Sequence, residues 1–176
     1  MIREIVKYGA NVLRQKASPV ETVDDAIAAL IDDLFDSMKS SDGVGLAAPQ
    51  IGVLKQVIVV DLSRQEGGPP PIALVNPRIV NQEGKVVGEE GCLSLPDLYA
   101  DVERSATVEV DSLDASGRPF AFSADGYYAR VLQHEIDHLN GKLFIDHISP
   151  LKRQLMRGAL KRLKREGEQW DREHAA

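Results

Sequence analysis

The stretch Gln133-His134-Glu135-Ile136-Asp137-His138-Leu139-Asn140-Gly141 restricts what this chain can be more than any other. On a helix, His134 and His138 stand four residues apart on one face, one turn above the other, and both imidazoles can reach a single ion. Glu135 projects beside them, placed to move protons for whatever fills an open coordination position. A plain amphipathic helix with solvated histidines would show the same letters, so the rest of the chain has to decide.

A catalytic centre of this kind needs a third protein ligand. Some zinc proteases continue the motif as H-E-x-x-H-x-x-G-x-x-H. Gly141 matches that continuation, but Phe144 stands where its last histidine would be. A downstream glutamate ligand has little room before the basic C-terminal segment. Cys92, the only cysteine, is the best remaining candidate, although a lone cysteine is usually a small buried hydrophobe. A Cys-His-His set is soft enough for Fe(II) as well as Zn(II). With one cysteine no internal disulfide forms, in keeping with a reducing compartment.

Around these residues the sequence lays out an α+β chain. Thr22 and Asp25 resemble a capping box, and Ile27, Leu30, Ile31, Leu34, Phe35 and Met38 recur at helical spacing to about residue 40. Gly43-Val44-Gly45-Leu46-Ala47-Ala48-Pro49-Gln50 is small enough for close approach by a ligand or strand, although a tight turn has the same composition; the Gln50 amide can donate to an anion. Strands are expected over 56–61, over 72–80 with a bulge or edge at Pro77, and weakly over 85–88. Residues 106–113 and 119–124 form a hairpin across Asp114–Gly117. The His134 helix opens at Asp125-Gly126, buries Val131, Leu132, Ile136 and Leu139, and closes at Gly141.

Ser149-Pro150 begins a last helix, with Leu151, Leu155, Ala159 and Leu163 as its expected buried stripe. Its other faces carry Lys152, Arg153, Arg157, Lys161, Arg162, Lys164 and Arg165, with no acid between 150 and 165. The net charge of the chain is nevertheless −6, which disfavours general nucleic-acid binding and leaves a basic segment on an acidic body. No apolar run is long enough to span a bilayer, and MIREIVKYGANVLRQKA is too charged for a secretory leader, so the expected location is cytoplasmic. The expected organisation is one domain over 1–176, with 149–176 as its basic helix.

Three segments then have to be read together: GVGLAAPQ at 43–50, EGCLS at 90–94 and QHEIDH at 133–138. In this order and spacing the chain resembles the peptide deformylases of bacteria, a likeness that extends to PLK near the start of the last helix. The resemblance implies mixed, mostly antiparallel sheets around a central helix carrying HEIDH, with N-terminal and C-terminal helices. It implies hydrolysis of the N-formyl group of N-formylmethionyl nascent chains, with release of formate. It assigns Cys92, His134 and His138 as metal ligands, Glu135 as general acid/base, and Gln50 with the Leu93 N–H as oxyanion donors. Substrate would lie along Val44, Gly45 and Gly91, near Tyr99, where relatives carry either arginine or an aromatic residue. Fe(II) is the implied cellular metal, with Zn(II) or Ni(II) as substitutes, and the C-terminal helix is implied to dock on the ribosome. Glu90 and Arg104 are implied to pair. The competing readings are a metalloprotease of unusual ligand set and a non-catalytic metal or RNA-binding module.

Overall fold

The structure, a computed structural model, describes residues 1–175. Helix α1 (Asp25–Ser40) presents Ile27, Leu30, Ile31, Leu34 and Met38 to the core, as their spacing requires. Its N-cap is Asp24, which accepts the Ile27 N–H at 3.0 Å, so the expected Thr22 capping box does not form. Gly43–Gln50 is more than a turn: it forms strand β1 (Gly45–Ala47) and then a 3₁₀ turn over Ala48–Ile51.

Among the described residues the strands are, in chain order, β1, β2 (Val57–Val60), β3 (Ile72–Glu83), β4 (Val86–Cys92), β5 (Leu95–Arg104), β6 (Thr107–Leu113) and β7 (Pro119–Asp125). They form a five-stranded sheet in the order β1-β2-β3-β6-β7 and a separate two-stranded sheet, β4-β5. Every strand pair is antiparallel; an isolated bridge, Ser18 to Lys55, is parallel. Pro77 sits at a register shift between Val75 and Arg78, where the β2 pairing has already ended and no ladder N–H is needed. β3 is therefore bulged at Pro77 but central, not an edge.

Helix α2 (Gly126–Leu139) carries the HEIDH stretch. Val131, Leu132, Ile136 and Leu139 pack with Ile58, Val60, Leu74, Val108 and Val110 of the large sheet. The opposite stripe is Arg130, Gln133, His134 and Asp137, again one helical face, and it is polar. It bonds to β4, β5 and the adjoining Ser105 instead of packing on them. The small sheet has its own apolar cluster: Leu95, Ala100 and Val102 meet Leu143, Phe144, Ile145, Leu160 and Leu163.

The C-terminal segment departs from expectation. It is two helices, α3 (Pro150–Leu155) and α4 (Arg157–Glu173), that meet at Met156. Ser149 caps α3 as expected, accepting the Lys152 N–H at 3.2 Å. Leu151 and Leu155 are 69% and 78% exposed, and the buried positions are Leu160, Leu163 and Gly167, with Ala159 only half-buried. At helical pitch Leu155 and Leu151 lie roughly 140° and 180° around from Leu160, so the buried face runs instead through Met156, Leu160, Leu163 and Gly167. No helix among the described residues is long and apolar enough to cross a membrane.

Candidate active site

Cys92 ends β4, while His134 and His138 rise from α2, so the three reach one point from two differently packed elements. One donor atom from each lies within 4.8 Å of the other two. Cys92 Sγ is 3.5 Å from His138 Nε2, and the two imidazole rings are 5.0 Å apart, nearly edge to face. His134 Nδ1 is 2.9 Å from Glu90 Oε1. With that carboxylate as acceptor Nδ1 carries a proton, and Nε2 is the nitrogen turned to the site, the arrangement usual for an imidazole metal ligand. Phe144 stacks on the His134 ring at 6.3 Å between centroids, so the position that would hold a protease's third histidine is a wall of the site.

Glu90 is buried and receives Arg104 through Nε and Nη2, both at 2.9 Å, the pairing that the family resemblance implies. It also takes Arg130 Nη1 at 2.7 Å, a partner that sequence reasoning missed. Burial works against ionisation of Glu90, but the hydrogen bonds from Arg104 and His134 outweigh it and hold the carboxyl far below the ordinary range. Arg104 Nη1 continues to Asp137 Oδ2 at 2.6 Å, which in turn is 2.8 Å from His147 Nε2. For Asp137 the same opposition holds: burial raises its pKa, and the bonds to His147 and Arg104 bring it below normal.

Burial also opposes a proton on either site histidine. For His134 the bonds to Cys92 and Glu90 prevail and its pKa rises well above the ordinary value. His138 has burial and the neighbouring His134 charge against it and falls well below.

Glu135 is completely buried, and burial pushes its pKa up to about 7, with the nearby Glu90 charge adding to the rise and His134 opposing it. Among the described residues its Oε2 has no hydrogen-bond partner, nor does His138 Nδ1. Gly45 makes room for the carboxylate: a Cβ there would lie 3.0 Å from Glu135 Oε1. Gln50 is held in one orientation, its Oε1 accepting the Ala47 N–H at 3.0 Å and its Nε2 lying 3.1 Å from Ser94 Oγ and 3.5 Å from Cys92 Sγ.

A cleft of about 410 Å³ opens over these groups, lined among others by Val44, Gly45, Gln50, Gly91 and Leu93. Tyr99, 59% exposed, stands at its rim and packs on Gly91. Of the site residues expected from the sequence, nine line this cleft, Cys92, His134 and Glu135 included, and His138 lies behind it with its Nε2 3.5 Å from Cys92 Sγ. A sulfur and two imidazole nitrogens at these separations, with an orphaned carboxylate oxygen beside them, fit a divalent ion better than an apolar or fully hydrogen-bonded interior.

Comparison with known proteins agrees with that chemistry. The family model described as polypeptide deformylase matches residues 2–154. A peptide deformylase of Alkalilimnicola ehrlichii is 47% identical over 94% of this chain and 93% of its own length. One from Brucella suis is 50% identical, covering 92% and 93%. The crystal structure of a peptide deformylase from Legionella pneumophila superposes with a TM-score of 0.85 at 47% identity, covering 94% of this chain and 96% of that one. A metalloprotease is not favoured by any of these matches. The chain belongs to the polypeptide deformylase family, metalloenzymes that hydrolyse the formyl group from nascent peptides.

Proposed function

We propose that the cleft is where this chain performs the family's reaction, with Cys92, His134 and His138 holding one divalent ion. The observation that carries the assignment is the meeting of three donors from β4 and α2 within 4.8 Å, next to the unpartnered oxygen of Glu135. Bound there, a divalent ion supplies Lewis acidity and lowers the pKa of a coordinated water towards neutrality. The Cys-His-His set accommodates Fe(II) as well as Zn(II), and the family resemblance points to Fe(II) in the cell, with Zn(II) or Ni(II) as substitutes.

Glu135 is the proton carrier. A carboxyl poised near neutrality can take a proton from the attacking water and return it to the departing amine. Gln50 Nε2 and the Leu93 N–H are the donors to the developing oxyanion. Such donors are worth ~3–4 kcal/mol each where one has been removed. The Ala47 bond keeps the Gln50 carbonyl turned away from the site, so the amide presents its NH₂ without reorganisation. An extended formylmethionyl peptide would lie along the Val44–Gly45 edge of β1 and opposite Gly91, with Tyr99 flanking the residues after methionine.

The whole chain, 1–176, acts as one domain in the cytoplasm, meeting its substrate at the ribosome through α3 and α4. Among the described residues, only Arg153 and Lys164 of the seven bases meet a carboxylate, at 3.6 and 4.0 Å, which leaves five for RNA phosphate. Formate release from a formyl-methionyl peptide, run beside a casein digest, tests the reaction. Formate without casein cleavage is expected; casein cleavage without formate would replace the reading with a protease.

A further inference from the structure

Arg130 is buried on α2, one turn ahead of His134, and the reaction above gives it no task. Its guanidinium is nonetheless bonded through both terminal nitrogens. Nη1 donates to Glu90 Oε2 at 2.7 Å and to Val102 O at 2.8 Å, with Gly88 O at 3.4 Å; Nη2 donates to Val86 O at 2.8 Å. These acceptors lie on both strands of the small sheet. The planar cation rests on that sheet at Gly88, where a Cβ would come 3.1 Å from its Cζ, Nε and Nη2.

Glu90 therefore joins two arginines that link different things. Arg104 belongs to the sheet itself and reaches across to Asp137. Arg130 belongs to the helix and holds β4 at Val86, Gly88 and Glu90, the three outward steps that lead to Cys92. The β4-β5 register shifts between Glu90 and Cys92, so the cysteine is not placed by regular ladder pairing alone. His134, four residues beyond Arg130 on the same helix, takes the other oxygen of the same carboxylate. The apolar cluster of the small sheet faces α4 and the 3₁₀ turn Phe144–His147, and meets α2 through Phe144 on the His134 ring.

We propose that Arg130 is a positioning residue for the metal centre: by pinning β4 to α2 it sets the separation between Cys92 Sγ and the imidazoles of His134 and His138. This rests on the reading of those three residues as ligands. The simpler alternative is a buried ion pair whose removal only destabilises the fold. The two differ in what happens to the metal at equal stability.

The test uses the full chain loaded with cobalt(II), whose sulfur-to-metal charge-transfer band reports the Cys92 bond. Arg130→Met keeps the stem and removes the guanidinium. Arg130→Lys keeps the charge but lacks the fork that reaches Glu90, Val86 O and Val102 O together. Leu34→Ala, in the other core, supplies a destabilised control. We expect Arg130→Met to release cobalt to a chelator roughly 10- to 100-fold faster than wild type, the range found when a group supporting a metal ligand is lost. Its band should weaken or shift, Arg130→Lys should lie between, and Leu34→Ala should keep both readouts. A wild-type band and release rate in Arg130→Met would overturn the proposal, as would the same changes in Leu34→Ala. If Arg130→Met does not fold, wild-type behaviour of Arg130→Lys overturns it. A band that survives Cys92→Ala would overturn the ligand set itself; a band lost there but unchanged in Arg130→Met would overturn only the role of Arg130.

Discussion

Gly45 and Glu135 approach so closely that a Cβ on the glycine would lie 3.0 Å from the carboxylate oxygen. The glycine thus belongs to the placement of the proton carrier. Gly45→Ala should push the carboxylate by a few tenths of an ångström, lowering kcat by roughly 10- to 100-fold, since small misplacements of reacting groups are costly. Glu135→Gln, which keeps the shape and removes the base, should lose about 10²- to 10⁴-fold. Both variants should bind metal as wild type does. Steady-state formate release with metal analysis of the same samples checks this, and near-normal turnover of Glu135→Gln would mean another group moves the proton.

Arg104 is 5% exposed and faces two carboxylates, Glu90 and Asp137. Arg104→Ala leaves both short of a partner in the interior. Breaking a buried pair from one side typically costs ~3–5 kcal/mol. Urea unfolding should register that loss, and chelator competition should show weaker metal binding, because Glu90 orients His134. Unchanged stability and metal affinity would reduce the network to packing.

How legible these features were depends on what a residue's letter usually means. The two histidines were readable because i and i+4 spacing is a geometric statement about a helix, and Cys92 because nothing else remained to join them. Strand β5 was missed. Its buried positions toward the C-terminal end are Ala100, Val102 and Arg104, so the alternation that marks a strand passes through a charged residue. Arg130 was missed for the same reason: an arginine on a helix normally points to solvent, and only the position of Glu90 explains its burial. The Leu151 and Leu155 stripe failed differently: successive i, i+4 steps drift around a helix, and the face that packs is the one through Met156, Leu160, Leu163 and Gly167.

The exposure of these two leucines makes a prediction of its own. Leu151→Ser and Leu155→Ser should each change stability by no more than about 0.5 kcal/mol, as exposed substitutions do. Leu160→Ala removes a buried side chain between α4 and the small sheet and should cost ~2–5 kcal/mol. Equal losses at Leu155 and Leu160 in urea titrations would restore the continuous stripe.

Asp146 ties the turn after α2 to the N-terminal segment, accepting Arg14 Nη1 at 2.7 Å and the Leu143 N–H at 2.9 Å. Partial burial raises its pKa, but the Arg14 bond and the Leu143 N–H outweigh that and leave it below the ordinary value. Its folded pKa therefore lies below its unfolded one. The stabilisation is fully present above the unfolded value of about 3.9 and disappears as pH falls through the folded value. At neutral pH, Asp146→Asn should cost about 0.5–1 kcal/mol, a figure reduced for solvent screening of a partly exposed pair. The difference between variant and wild type in urea midpoints should be constant from pH 6 to 8 on the order of that figure, and should shrink below about pH 4. A difference that grows in acid would reverse the assignment.

Reversing the charge of three bases in α4 should abolish co-sedimentation with ribosomes at low salt while leaving turnover of a short formyl peptide unchanged. Equal co-sedimentation of the variant and wild type would leave the helix as scaffold alone.

The two faces of α2 have a thermodynamic consequence. Its apolar face belongs to the core of the large sheet, whereas the cysteine strand belongs to a core shared with α4. A ligand set drawn from both makes a bound ion a cross-link between two bodies that could otherwise open separately. Binding free energy is then shared by both. In native-state hydrogen exchange, amides of β4-β5 and of the large sheet should open as a single unit with metal bound and as two units after it is stripped, so that the ion sets cooperativity as well as reactivity.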